Sequence, residues 1–139
     1  MSALGIHHVG IAVSDLDEAG ARYQRLYGAT VEAHERVEEQ GVEALALLLG
    51  DDGRVELLAP LADDTPVGRF LARRGEGMHH LAFGVADIEA ELERLRAAGA
   101  TLIDEAPRAG IYGAMAFVHH ESLGGVLSEL IQSTHMTEA

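Results

Sequence analysis

The sequence predicts an α+β fold built from two tandem βαβββ modules, and three observations carry that prediction. The segment Gly-Ile-His-His-Val-Gly-Ile-Ala-Val from Gly5 to Val13 returns 72 positions later as Gly-Met-His-His-Leu-Ala-Phe-Gly-Val from Gly77 to Val85. Glu56, within Val55-Glu56-Leu57-Leu58, is matched 73 positions on by Glu129, within Leu127-Ser128-Glu129-Leu130. Gly-Ala-Thr follows the first helical pattern at Gly28–Thr30 and the second at Gly99–Thr101. At 139 residues the chain is expected to form one domain, residues 1–139, with internal repeats at about 5–60 and 77–133.

The elements follow in order from local chemistry. Ile6 to Val13 is apolar enough for a strand, and Ser14, Asp15 and Asp17 then supply capping oxygens and first-turn carboxylates. A helix is predicted over about Asp15 to Tyr27, with Leu16, Ala19, Tyr23 and Leu26 at helical spacing and Gly28 as the left-handed stop. Strands are predicted at Thr30–Glu32, Val42–Leu49 and Arg54–Leu58, the last two separated by the turn residues Gly50-Asp51-Asp52-Gly53. Thr65 as cap and Pro66 at the first helical position open a linker helix carrying Val67, Phe70 and Leu71 and ending near Gly75. The second module repeats the order. Asp87 caps a helix with Ile88, Leu92 and Leu95 that stops at Gly99, and strands are predicted at Thr101–Ile103, Ala114–Val118 and Val126–Ile131, with Ser122-Leu123-Gly124-Gly125 as the last turn.

Strand pleat sorts the paired histidines. Alternate residues face opposite ways, so His7 groups with Val9, Ile11 and Val13, and His8 with Gly10 and Ala12; likewise His79 groups with Leu81, Phe83 and Val85, and His80 with Ala82 and Gly84. Bulky residues mark the face under the helix. The small ones mark an open concave face with room for a ligand, which places His8 and His80 there and leaves His7 and His79 to structural or supporting roles. Each module thus carries one His and one Glu at equivalent places, and His8, Glu56, His80 and Glu129 form a plausible set of ligands for one divalent cation such as Zn, Ni, Co or Mn.

Composition narrows the function classes. A net charge of −13 with no lysine, all 10 cationic residues being Arg, argues against a general nucleic-acid binder. The absence of Cys excludes disulfides, thiolate nucleophiles and cysteine metal ligands. There is no membrane-length apolar run and no signal-peptide pattern at the N-terminus, so the expected location is cytoplasmic.

The paired units with His and Glu ligands resemble the vicinal oxygen chelate superfamily of glyoxalase I, extradiol dioxygenases and methylmalonyl-CoA epimerases. The whole chain is most similar to the epimerases. The motifs are His8-Val9-Gly10-Ile11-Ala12-Val13, Glu39-Gln40-Gly41-Val42, Glu56-Leu57-Leu58-Ala59-Pro60-Leu61, Gly75-Glu76-Gly77-Met78-His79-His80-Leu81, Asp104-Glu105-Ala106-Pro107-Arg108 and Gly124-Gly125-Val126-Leu127-Ser128-Glu129-Leu130. The resemblance implies a curved mixed sheet around a metal-binding cavity, a homodimer, and a divalent metal ion as cofactor. It implies an acyl-CoA substrate, with (R)- and (S)-methylmalonyl-CoA interconverted by α-proton abstraction through a metal-stabilised enolate.

By the same resemblance Glu129 is both a ligand and a proton-transfer group. A second catalytic Glu stands in some epimerases where this chain has Ala44, and Glu43, one place earlier, could take that role only if a bulge reversed its face. At His119-His120-Glu121 the family's usual His-Pro-Lys is changed, which bears on CoA recognition; His119 is expected in a structural or substrate-contacting role. The alternatives are a glyoxalase I-type lactoylglutathione lyase and a non-enzymatic small-molecule binding or resistance protein of the same fold.

Overall fold

A computed structural model of the chain describes residues 3–133. Contacts divide it into two compact units, His8–His79 and the described residues on either side of that segment. The divisions fall between the two members of each His-His pair, inside strands β1 (Ala3–Ala12) and β5 (Gly77–Val85).

In the His8–His79 unit, β1 leads into α1 (Leu16–Tyr27), then β2 (Thr30–Val37), β3 (Val42–Leu49), β4 (Gly53–Pro60) and the linker helix α2 (Pro66–Arg74). The strand order is β2-β3-β4-β1, with β1 parallel to β4 and the other pairs antiparallel. Asp15 caps α1 by accepting the Glu18 N–H at 3.0 Å, and Gly28, at φ 70°, ends it in the left-handed conformation. Leu16, Ala19 and Gly20 bury the inner face of α1 against Val13, Leu45, Leu47 and Leu57. Leu26, expected on that face, is instead exposed. Gly20 marks the closest approach: a Cβ there would lie 2.6 Å from Leu45 Cδ2.

The linker helix forms as its sequence predicts. Thr65 Oγ1 accepts the Gly68 N–H at 3.1 Å, Pro66 occupies the first turn, and Gly75 ends the helix at φ 74°.

The second unit contains β5 from His80 onward, α3 (Ile88–Ala97), β6 (Arg108–Gly110), β7 (Gly113–Val118) and β8 (Ser128–Ser133), in the strand order β5-β8-β7-β6. Here β5 and β8 are parallel and the remaining pairs antiparallel, so each unit holds a mixed four-stranded sheet of the same pattern. Asp87 caps α3 by accepting the Ala90 N–H at 3.1 Å. Ile88 and Leu92 then pack on Val85, Ala116, Val118 and Leu130.

One predicted strand does not form. Thr101–Ile103 makes a single bridge, Leu102 to Val118, and the edge strand appears later, at Arg108–Gly110. Half of the ladder remains, with Phe117 O accepting the Ile103 N–H at 3.1 Å and Thr101 O accepting the His119 N–H at 2.9 Å. Side chains take the other half: Ser122 Oγ accepts the Thr101 N–H at 2.9 Å and Asp104 Oδ2 accepts the Phe117 N–H at 2.8 Å. The turn predicted at Ser122–Gly125 begins earlier, as a 3-10 helix over His120–Leu123 that Gly124 ends at φ 63°, and β8 starts only at Ser128.

Candidate metal centre

Register sets each predicted ligand. In β1, His8, Gly10 and Ala12 share one face; Gly10 lies opposite Glu56 on β4, and Ala46 on β3 lies opposite Glu56 on the other side. Glu56 therefore points to the face of His8, and His8 Nε2 lies 3.7 Å from Glu56 Oε1. The second unit builds the same pair. Ala82 on β5 and Phe117 on β7 flank Glu129, and His80 Nε2 lies 3.1 Å from Glu129 Oε1. All four side chains are buried, none more than 5% exposed.

Two ligands held about 2.1 Å from one ion, at angles of about 90 to 120°, lie about 3.0 to 3.6 Å apart. The observed 3.1 Å matches that spacing and 3.7 Å lies just beyond it, whereas 3.7 Å is too long for a hydrogen bond. Imidazole nitrogen with carboxylate oxygen is a donor set suited to a divalent ion, and burying a carboxylate in a chain of net charge −13 calls for a compensating cation. The residues present fit a divalent metal.

The pairs differ in their surroundings. Ala46, fully buried, stands beside Glu56, while at the equivalent place Phe117 sets its ring edge-on to His80, centroids 5.5 Å apart. Phe117 and Tyr112 also pack on Ala82, Met115 and Ile131. Neither aromatic was singled out from the sequence. A large residue at 117 where the first repeat has Ala46 is the one signal that could have marked Phe117, and Tyr112 lies in a turn with no counterpart to compare.

The other paired histidines meet aromatic rings. His7 packs edge-on to Tyr112 with centroids 4.5 Å apart, and His79 packs likewise on Phe70 of α2 at 5.0 Å. The small-residue face is not open, however: Ala12 and Ala82 are fully buried and Gly10 and Gly84 are buried too, whereas Val9, Ile11, Leu81 and Phe83 are only half-buried. Small side chains there permit close packing rather than solvent access.

Glu43 does not meet its condition. β3 pairs with β4 from Val42 to Leu49 without a bulge, so Glu43 keeps the face of Leu45 and Leu47, opposite to that of Ala44, Ala46 and Glu56. Its half-exposed carboxylate lies 2.5 Å from His34 Nε2 on β2. His119 caps the 3-10 helix, its Nδ1 accepting the Glu121 N–H at 3.2 Å.

The sequence profile of the glyoxalase/bleomycin resistance protein/dioxygenase superfamily matches residues 7–118. The chain belongs to this superfamily. It is 36% identical over 130 residues to an ethylmalonyl-CoA/methylmalonyl-CoA epimerase of Cereibacter sphaeroides, covering 91% of this chain and 96% of the relative. It is equally similar, at 36% over 130 residues, to the human mitochondrial methylmalonyl-CoA epimerase, covering 92% of this chain and 73% of that protein. Among solved structures, a methylmalonyl-CoA epimerase in complex with methylmalonyl-CoA and ammonium superposes with a TM-score of 0.93 at 38% identity, covering 99% of this chain and all of the other. The α+β class and the mixed strand pairing of each unit agree with the sequence expectation.

Proposed function

We infer that this chain is an isomerase that interconverts (R)- and (S)-methylmalonyl-CoA, acting as one domain of two repeats. The observation that carries the reading is the buried His–Glu pair in each repeat of a chain alike, over 99% of its length, to an epimerase solved with methylmalonyl-CoA. His8, Glu56, His80 and Glu129 together hold one divalent cation, of the Co, Ni, Mn or Zn class. Such an ion supplies Lewis acidity to the carboxylate and thioester oxygens of the substrate, lowering the cost of charge that develops when the α-proton leaves.

The chain's own residues do the rest. Glu129 takes the α-proton on its carboxylate, and strand β8, held between β5 and β7, fixes the direction of that carboxylate. Phe117 holds the His80 ring edge-on and so limits its rotation. Epimerisation then requires a second acid on the opposite face of the α-carbon to deliver a proton there, while the one taken by Glu129 is left on its carboxylate. Among the described residues no helix is long and apolar enough to cross a membrane; the cytoplasmic location is part of the proposal. We assign a homodimer as well, supported by Leu26, Tyr27 and Val31, large apolar residues exposed close together in sequence.

The deciding experiment is single-isomer methylmalonyl-CoA with metal-loaded protein in deuterated water. Uptake of α-deuterium with the thioester intact is expected. No exchange, together with turnover of a glutathione hemithioacetal, would replace the epimerase by a lyase.

A further inference from the structure

The second unit contains a pocket of about 200 Å³, half open to solvent, between α3 and the sheet on the face away from Glu129. Its wall is mostly carbon, from Phe83, Val85, Leu95, Val118 and Leu130, and its polar groups include Ser128 and the Glu91–Arg94 ion pair. The internal repeat supplies a control for how such a place is normally filled. Leu95 lies eight residues past the cap Asp87 as Tyr23 does past Asp15; Ser128 precedes Glu129 as Val55 precedes Glu56; Val118 opposes Ser128 as Leu47 opposes Val55. Tyr23, Leu47 and Val55 pack into one apolar cluster. In the second repeat all three positions are smaller. Phe83 in place of Ile11 recovers part of the volume, and Glu91 in place of Ala19 brings a carboxylate to a wall that was apolar.

We propose that this cavity is a binding site, separate from the His–Glu pairs, for a neutral molecule of about six to eight carbons ending in one hydroxyl. A cavity of about 150 Å³ lined by apolar side chains suffices for benzene, so about 200 Å³ takes a ring with a substituent or a short chain. The hydroxyl end has partners of the right kind in Glu91, which accepts, and Ser128, 3% exposed, which does both. Arg94 is already paired with Glu91, and the chain is strongly acidic, so an anionic end group is disfavoured.

The test uses the full chain labelled at its Leu and Val methyl groups, titrated with 1-hexanol and observed by NMR. The expected result is saturable shifts confined to Val85, Leu95, Val118, Leu123 and Leu130, half-saturated at ~1 mM, with hexanoate at least ~10-fold weaker. Leu95→Tyr, which restores the residue of the first repeat, removes the shifts. Ser128→Val does the same by a different wall, so one misfolded variant leaves the other to decide. Unshifted methyls at 20-fold above ~1 mM hexanol, shifts spread over the surface, or saturable shifts that persist in either folded variant would each overturn the site. So would cavity methyls that move with protein concentration instead of hexanol, since a second copy of the chain would then be covering the opening.

Discussion

At the scale of single residues, the separation of ligand from proton carrier rests on Glu129. Glu129→Gln keeps an oxygen for a metal but cannot take up a proton as a carboxylate does. It is expected to retain most of the bound metal while isotope exchange falls by about 100-fold, read by mass spectrometry of recovered thioester; exchange near the parent rate would remove Glu129 from that role. The adjacent histidines offer a second contrast. His8→Ala is expected to abolish stoichiometric metal binding. His7→Ala loses the Tyr112 contact and is expected to keep the metal while costing about 1 to 3 kcal/mol of stability. Equal metal loss in both would mean that the pleat picks the wrong member of the pair. Glu43→Gln should leave exchange within about 2-fold, since its carboxylate meets His34 on the opposite face of β3.

Among elements, the two repeats solve the same helix-on-sheet contact with opposite choices. In the first, Gly20 on α1 makes way for Leu45 on β3; in the second, Leu92 on α3 lies at the place of Gly20, and Ala116 on β7 at the place of Leu45. Gly20→Leu alone overpacks the contact and should destabilise the protein by about 1 to 3 kcal/mol in chemical denaturation. Adding Leu45→Ala copies the second repeat and should recover most of that loss, with a coupling of at least about 1 kcal/mol. If the double variant is no better than the sum of the singles, the repeats do not share this packing logic.

For the molecule as a whole, the two His–Glu pairs make a stoichiometric statement. One ion per chain is expected from native mass spectrometry and from calorimetric titration, because neither pair by itself completes a divalent coordination shell. Two ions of equal affinity would mean that each pair works separately. Removing the ion with a chelator should lower the melting temperature, since a ligand present at 1,000 times its Kd stabilises the folded state by about 4 kcal/mol.

The helix caps and the linker helix were legible in the chain itself, because each depends on residues within a few positions of one another: Asp15, Asp87, Thr65 and Gly28 act on their own helix ends. The duplication was legible as well, because it is a likeness between segments of the sequence and needs no contact between them. So was the membership of the two His–Glu pairs, since alternation along a strand and the repeat offset need no tertiary information. Only the tertiary structure decided what depends on neighbours distant in sequence. Thr101–Ile103 lost its strand to Ser122 and Asp104, whose side chains reach backbone groups that a ladder would have used. Glu43 stayed on its face because β4 holds β3 in an unbroken register, and a bulge cannot be read from composition. The small-residue face proved buried and not open, because how deeply a face lies depends on what packs over it, and that is a property of the folded chain.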